Sequence, residues 1–349
     1  MTRPAGPSEC TVDLQVIDEG SEMNTPDRRS LLRGCACLFA IAAVADRANG
    51  AEEYPSRPVK IVVPFTAGGL VDVFARVVAE QLQAKWGQPF IVENKPGASG
   101  NLGAEMVFRS PHDGYTLMFA PPPPLAVNKS LFPKLGFDPD ALVAVSVFAA
   151  VPNVLVVNPR VPGATIQDLV AFAKANPGKL SYASTGSGGT PHLTAELLKH
   201  TAGIDIVHVP YRGMAPAVLE VIAGQVDMIF ANLGDTLPHI KEGRLKAVGV
   251  ASSARFPGLP DIPAIAETLP DFVSDTWYAL AAPPGTPPDI TRKLAEVITE
   301  ALGRPDVKAK LEASSARAIG GSAAEAAKFI KRESLRWREI IELAGIKGE

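Results

Sequence analysis

Cysteine is scarce in this chain. The 349 residues contain three cysteines, all near the N-terminus: Cys10, Cys35 and Cys37. The chain after Cys37 therefore has no disulfide framework, no thiolate zinc site and no catalytic cysteine. The five histidines lack the spacing of a metal site, and we interpret them as packing or surface groups; they are His112, His192, His200, His208 and His239. We expect neither a metal nor a cofactor.

An excess of positive charge is also missing. The chain has 34 Lys and Arg against 37 Asp and Glu, a formal net charge of −3, and no basic stripe. Nucleic acid is therefore not an expected partner. No apolar run after residue 50 reaches the length needed to span a membrane.

The first 50 residues predict a signal peptide with an N-terminal extension, and Met23 is an alternative start. Residues 28–33 are basic, residues 34–45 form an apolar run too short to span a membrane, and residues 48–50 are small. The arginine pair fits the twin-arginine export route, but ordinary secretion stays open because Leu stands where that motif usually has Phe. An uncleaved membrane anchor is the alternative.

The rest of the chain alternates short apolar runs with helical periodicity. This rhythm predicts an α/β fold with parallel-rich sheets flanked by helices. The predicted strands are residues 59–63, 90–93, 115–119, 154–157, 179–184, 206–209, 226–230, 246–250 and 277–281.

Two of these strands run into glycine turns that are followed by helices. Residues 59–63 lead to Gly68 and Gly69, and the second turn lies in residues 181–192. Each turn leaves N–H groups at a helix N-terminus, which suits an anion such as a carboxylate. One turn in each of two sheets predicts two lobes facing a cleft. Lobe 1 would comprise residues 51–155 plus 280–349 and lobe 2 residues 156–279, joined by two crossover hinge strands.

Several short motifs in order resemble the Bug-type solute receptors, the binding proteins of tripartite tricarboxylate transporters. The resemblance covers nearly all of residues 54–347. The motifs are residues 64–69 with Asp72 and Arg76, then 92–97, 113–117, 182–186, 208–213, 224–226, 238–239 and 282–287. It implies a type II, Venus-flytrap periplasmic binding protein that closes on a small organic carboxylate.

The resemblance also implies delivery of that carboxylate to membrane subunits of a tripartite tricarboxylate-type transporter. We expect a periplasmic, non-enzymatic monomer. A receptor that presents its ligand to a sensor kinase is an alternative. An exported hydrolase is a weaker one, since Ser187 and His192 lie too close in sequence to make a convincing pair and no Gly-x-Ser-x-Gly turn occurs.

A carboxylate in a closing cleft must regain the hydrogen bonds that it had to water. We predict backbone donors on both lobes, hydroxyl groups beside them and further cleft residues after later strands. Thr190 is expected to cap a helix whose first residue is Pro191. The candidate ligand-binding residues are Phe65, Thr66, Ala67, Gly68, Gly69, Asp72, Ser184, Thr185, Ser187, Gly188, Gly189, Thr190, Tyr211, Gly213 and Asn232.

Asp72 has two interpretations. Its carboxylate can accept from a ligand ammonium group or from the N–H groups of its own loop, and the structural role is favoured because acids are common in a first helical turn. Three departures from the family pattern predict a less polar pocket, suited to an apolar-bodied carboxylate and less suited to an amino acid. They are residues 121–124, all proline, Ala231 in place of an acid, and Gly189 in place of a serine.

Overall fold

The first strand and helix form as the sequence predicts. The computed structural model describes residues 53–163 and 165–346, and in it β1 (Val59–Val63) leads into α1 (Leu70–Trp86). Gly87 ends α1 with a left-handed φ of 70°. The predicted apolar face is buried and comprises Val71, Phe74, Val78 and Leu82. The predicted signal peptide, residues 1–50, lies outside the described residues.

Strands and helices alternate along most of the described chain. The further strands are β2 (Phe90–Asn94), β3 (Thr116–Ala120), β4 (Val143–Val157), β5 (Ser181–Ser184), β6 (Val207–Pro210), β7 (Met228–Asn232), β8 (Lys246–Val250), β9 (Asp275–Ala282) and β10 (Arg317–Gly320). The further helices are α2 (Asn101–Phe108), α3 (Asn128–Leu131), α4 (Ile166–Ala175), α5 (Thr190–Ala202), α6 (Met214–Ala223), α7 (Leu233–Lys241), α8 (Pro288–Leu302), α9 (Pro305–Ala313) and α10 (Ala323–Leu343). Short 3₁₀ turns lie at Ala98–Gly100, Pro139–Ala141 and Ile265–Glu267, and a π-helical turn lies at Pro123–Val127.

The strands pair in two groups that share β4. In the first lobe, β1 pairs in parallel with β2 and β3, while β9 lies antiparallel between β3 and β4, and β10 pairs with β4. In the second lobe, β5 pairs in parallel with β6 and β7, while β7 and β8 lie antiparallel to β4. This mixed arrangement is the two-lobe fold predicted from the sequence.

β4 is the strand that joins the lobes, and its first part was not predicted. The sequence pattern gave only residues 154–157, whereas the strand has 15 residues and 13 of them are buried. Pro152, which cannot donate to a ladder, lies where β4 changes partner: Pro152 is opposite Asp275 of β9 and Asn153 is opposite Asn232 of β7. The lobe boundaries at residues 155 and 280 stay predictions.

The Asn153 side chain connects β4 to the start of β9. Its buried amide nitrogen Nδ2 donates to the Ser274 carbonyl at 3.0 Å, and its Oδ1 accepts from the Thr276 hydroxyl at 3.4 Å. The Asn153 N–H also donates to Ser274, and Ala251 donates to Asn153. One side chain therefore connects β4, at the point where it changes partner, to the start of β9.

We predict that Asn153→Ala lowers the free energy of unfolding by about 2 kcal/mol, because it leaves buried hydrogen-bonding groups without partners. Urea unfolding measures the change. The matched variant is Asn176→Ala, since the Asn176 side chain bonds a single carbonyl, that of Phe172, at the end of α4. We expect a loss below about 1 kcal/mol there, and equal losses in the two variants would contradict this role of Asn153.

Each lobe has its own aromatic core. In the first lobe Phe74, Phe119, Phe148 and Tyr278 contact one another at ring separations of 5.2 to 6.5 Å. In the second lobe the largest buried side chains are Tyr182, Phe230 and Phe272. The Phe74 ring therefore connects the buried face of α1 to β9, which also contributes to the cleft floor.

Two helices begin with capping boxes. Thr165 and Asp168 cap α4 reciprocally, and Ser322 and Glu325 do the same for α10. Within the described residues, no helix has the length and apolar character needed to cross a membrane.

Candidate functional site: a cleft between the lobes

A cavity of about 780 Å³ lies between the two groups of strands. Its walls come from segments that follow the carboxyl ends of β1, β2 and β3 in the first lobe and of β5, β6 and β7 in the second. Thr276 and Tyr278 of β9 contribute to its lining. The carboxyl edge of parallel strands is where ligands bind in open α/β sheets.

Five helices begin at this cavity. Each is preceded by a residue that lines the cavity: Gly69 before α1, Gly100 before α2, Gly189 before α5, Gly213 before α6 and Asn232 before α7. The N-terminus of each helix carries a partial positive charge and N–H groups without intrahelical partners. The sequence indicated anion-accepting termini at α1 and α5, and the structure adds those of α2, α6 and α7. The cavity is therefore suited to an anion.

Asp72 organises the turn between β1 and α1. Its carboxylate accepts from the Gly68 N–H at 3.2 Å, from Arg76 at 3.0 and 3.1 Å and from Asn94 Nδ2 at 3.0 Å. Burial alone would raise the pKa of Asp72, but these bonds together hold that pKa below its ordinary value. The favoured prediction that Asp72 accepts from its own loop is confirmed.

Backbone donors in the two glycine turns are used differently from the prediction. Gly68 donates to Asp72, Gly188 donates to His192 Nδ1 at 3.2 Å, and Gly189 donates to the Gly186 carbonyl at 3.2 Å. These three N–H groups therefore have partners within the chain in this conformation, and their role as ligand donors stays a prediction. A tight turn satisfies its own N–H groups first.

The N–H groups that precede the first backbone hydrogen bond of each helix are better placed to donate to a ligand. In α1 the first such bond is donated by the Asp72 N–H, so the N–H groups of Leu70 and Val71 come before it. The first helical donor of α5 is Leu193, so the N–H groups of Thr190 and His192 come before the ladder. Thr190 is the first residue of α5, and Gly189 precedes it without a side-chain cap. The prediction that Thr190 caps the helix is therefore wrong by one residue.

The structure brings most of the candidate residues to the cavity wall. Those that line it are Phe65, Thr66, Gly69, Thr185, Ser187, Gly189, Thr190, Tyr211, Gly213 and Asn232. The others lie beside or behind the wall: Ala67, Gly68, Asp72, Ser184 and Gly188. Ser184 is fully buried, where its Oγ accepts from Gly186 N–H and lies 2.6 Å from His208 Nε2.

Sequence reasoning missed several cavity residues. The turn after β2 contributes five of them, at residues 96–100. Ser99 has a positive φ of 53° and its hydroxyl donates to the Ser187 carbonyl of the opposite lobe at 2.8 Å. This bond connects the two lobes directly. The predicted prolines do line the cavity, at Pro121 and Pro123.

Asp235 is the most consequential residue that was missed. It lies in the first turn of α7, lines the cavity, and accepts from Asn232 Nδ2 at 3.0 Å. Burial raises the pKa of Asp235 to about 6, and the bond from Asn232 opposes that shift. An Asn followed three residues later by an Asp at a helix start places both side chains on one face, which is the signal that would have found it.

The histidines near the cavity are packing groups, as predicted. The rings of Tyr182, His192 and His208 stack, with His192 and His208 centroids 4.3 Å apart. Burial, and secondly His208, lower the pKa of His192 to about 4. Its Nδ1 accepts from Gly188 rather than from Ser187. Within the described residues, no group of three or more His, Cys, Asp or Glu is arranged to hold a metal ion.

Comparison with known proteins gives the class first. Rpa4515 of R. palustris, solved with adipate, superposes on this chain with a TM-score of 0.81 and 34% identity. The superposition covers 85% of this chain and 100% of Rpa4515. MatC of Rhodopseudomonas palustris, solved with bound malate, superposes with a TM-score of 0.77 and 31% identity over 82% of this chain and 100% of its own. The fold is that of periplasmic solute-binding proteins.

The family follows from the sequence. The family model of the tripartite tricarboxylate transporter family receptor, TctC, matches residues 74–346. BugT of Bordetella pertussis is 37% identical over 320 residues, which cover 91% of this chain and 98% of BugT. The chain belongs to the TctC family of solute-binding receptors, and its resemblance to the Bug proteins is confirmed.

Proposed function

We propose that this receptor binds a small organic carboxylate in the cleft between its lobes. The observation that carries the proposal is the convergence of five helix N-termini, two from the first lobe and three from the second, on one cavity. Fixed N–H dipoles can replace the water that a carboxylate loses, without a buried lysine. Adipate and malate in two relatives support the same ligand class.

The ligand carboxylate would lie between the N-termini of α1 and α5. We propose contacts from the N–H groups of Leu70 and Val71 on one side and Thr190 on the other, with hydroxyls of Thr185 and Ser187 beside them. The 780 Å³ cavity leaves room for bridging waters as well. Because the ligand would touch both lobes, it would favour the closed arrangement that the Ser99–Ser187 bond represents.

The wider role follows from the family. We propose that the chain is exported by its signal peptide, works in the periplasm as a monomer, and hands its ligand to a tripartite tricarboxylate-type membrane transporter. Deleting the gene tests this role through uptake of the carboxylate. Normal uptake together with a lost transcriptional response to the carboxylate would instead favour presentation to a sensor kinase.

Calorimetric titration tests the binding step. We expect at least one small carboxylate from a panel that includes malate and adipate to bind with a micromolar Kd, about −8 kcal/mol. The matched control for each acid is its uncharged amide, which should bind at least about 100-fold more weakly because it lacks the charge that the helix termini favour. Equal binding of acid and amide, or turnover of the bound acid, would contradict the proposal.

A further inference from the structure

The cleft floor holds a polar cluster that an anion site does not need. Asn232 is only 8% exposed and lines the cavity, and its Nδ2 donates to Asp235 Oδ2 at 3.0 Å and to the Tyr278 hydroxyl at 3.3 Å. Asn232 and Asp235 lie at the end of β7 and the start of α7, whereas Tyr278 lies on β9, which pairs with the other group of strands. The cluster therefore lies where the lobes meet beneath a bound ligand.

The amide oxygen of Asn232 is left without a partner. Its Oδ1 is buried and accepts no hydrogen bond from any of the residues that the structure describes. The orientation of the amide is set by its neighbour, because only the nitrogen can donate to the Asp235 carboxylate. A buried acceptor of this kind is nearly always satisfied in a native protein, so the cluster calls for a further donor.

Asp235 adds a second acceptor beside it. Across residues 53–163 and 165–346, no lysine, arginine or histidine forms an ion pair with this carboxylate, and the hydrogen bond given to it is that of Asn232. A half-buried carboxylate without a cation is unfavourable unless other donors reach it. The Asn232 amide oxygen, which has no partner, and the Asp235 carboxylate, which accepts from Asn232, can both accept the same kind of group, an N–H or O–H.

Water in an empty cleft can donate to Asp235, which lines the cavity, but a ligand that displaces this water must replace its hydrogen bond. A ligand whose inner end is a methylene chain would leave Asn232 Oδ1 unpaired. A ligand with a second ionised carboxylate at this point would place two like charges together. Both are penalised relative to a ligand that donates.

We propose that the Asn232–Asp235 pair is a specificity site for a hydrogen-bond donor on the ligand, so that the preferred ligand is a carboxylate carrying an amino or hydroxyl group. This rests on the proposed function, because the carboxylate end is held by the helix termini. It reverses the expectation drawn from Ala231, since the acid absent at residue 231 is present four residues later at Asp235, in the first turn of α7.

The test compares acids that share a skeleton and differ in one substituent. One set is succinate, malate and aspartate; the other is 3-phenylpropanoate, 3-phenyllactate and phenylalanine. In at least one set we expect the hydroxy or amino acid to bind at least about 10-fold more tightly than its unsubstituted parent, because the parent leaves buried acceptors unpaired. Tighter binding of the amino acid than of the hydroxy acid would indicate that the charge of Asp235 contributes more to the preference than the amide of Asn232.

Two variants connect the preference to the cluster. Asp235→Asn should reduce the preference for the amino acid over its parent, and Asn232→Leu should reduce the preference for the hydroxy acid over its parent. Asp205→Asn, an exposed acid of the second lobe, controls for the loss of one negative charge and should keep the preference.

The outcomes separate the two proposals. If the unsubstituted parents bind as tightly as their substituted partners, or if the Asp235 and Asn232 variants keep the full preference, the specificity site is wrong while carboxylate binding stands. If no carboxylate binds at all, the proposed function fails and the specificity site fails with it.

Discussion

Gly69→Asp should reduce carboxylate affinity by roughly 100-fold, because it places a negative charge at the start of α1 inside the cleft. Two like charges about 5 Å apart at an effective dielectric constant near 20 repel by about 3 kcal/mol. Isothermal titration of any carboxylate that the wild-type protein binds measures the loss.

The fold should tolerate this substitution. Gly69 has an ordinary φ of −81°, and a Cβ atom added there meets no heavy atom within 4 Å. Aspartate and asparagine are also favoured capping residues, so we expect the free energy of unfolding to stay within about 1 kcal/mol of the wild-type value. Thermal unfolding without ligand checks that the loss of binding is not a loss of structure.

Gly69→Asn is the matched control. Its side chain has nearly the same shape and can accept from the same helix N–H groups, but it is neutral. The asparagine variant should therefore bind carboxylate more tightly than the aspartate variant by at least about 10-fold. If the two variants bind equally, charge at the α1 N-terminus does not matter and the anion site lies elsewhere.

Asp235→Asn should stabilise the protein at pH 8 by up to about 3 kcal/mol, since its carboxyl has a pKa of about 6 in the folded chain against an ordinary value of 3.8. A raised folded-state pKa favours the folded state fully below pH 3.8. That advantage is lost as the pH rises through 6. The ionised carboxylate therefore lowers the free energy of unfolding at neutral pH, and the neutral amide of the Asp235→Asn variant removes this cost.

Urea unfolding without ligand at two pH values measures this effect. The gain from Asp235→Asn should fall to about half its pH 8 value at pH 5, because part of the wild-type carboxyl is then protonated in the folded state. Asp205→Asn should change stability by less than about 0.5 kcal/mol at both pH values. A destabilised Asp235→Asn variant at pH 8 would mean that Asp235 has a stabilising partner.

A gain in stability of the Asp235→Asn variant, together with its loss of ligand preference, would indicate that Asp235 is kept for binding at the expense of stability. A protein retains an unfavourable buried carboxylate where function requires it. The amide at residue 235 should stabilise the unliganded chain and weaken discrimination among ligands. A stability gain without any change in ligand preference would separate the two properties and leave Asp235 without a role in the cleft.

Local patterns predicted the regular elements well where one face is apolar. The α1 face of Val71, Phe74, Val78 and Leu82 and the capping box at Thr165 are fixed by neighbouring residues, so they could be read from the chain. The first part of β4 and the whole of β10 were missed. β4 is buried along nearly its whole length, but Ser146, Pro152 and Asn153 interrupt its apolar run, and a proline within such a run argues against a central strand.

The site was predicted less completely because its chemistry depends on long-range neighbours. Gly68 and Gly188 do lie in turns before helices, but their N–H groups bond to Asp72 and His192, which a turn motif does not reveal. Asp235 lies in the cavity because α7 begins there, and Ser99 reaches it through a left-handed turn. Residues of different lobes come close only in the folded chain, so local sequence patterns do not reveal these contacts.

The most direct test of the account is a crystal structure of the receptor with the carboxylate that binds most tightly in the calorimetric panel. The carboxylate should lie between the N-termini of α1 and α5 and should accept, directly or through one water, from N–H groups near Leu70 and Thr190. A carboxylate bound away from both termini, or found converted into a product, would contradict it.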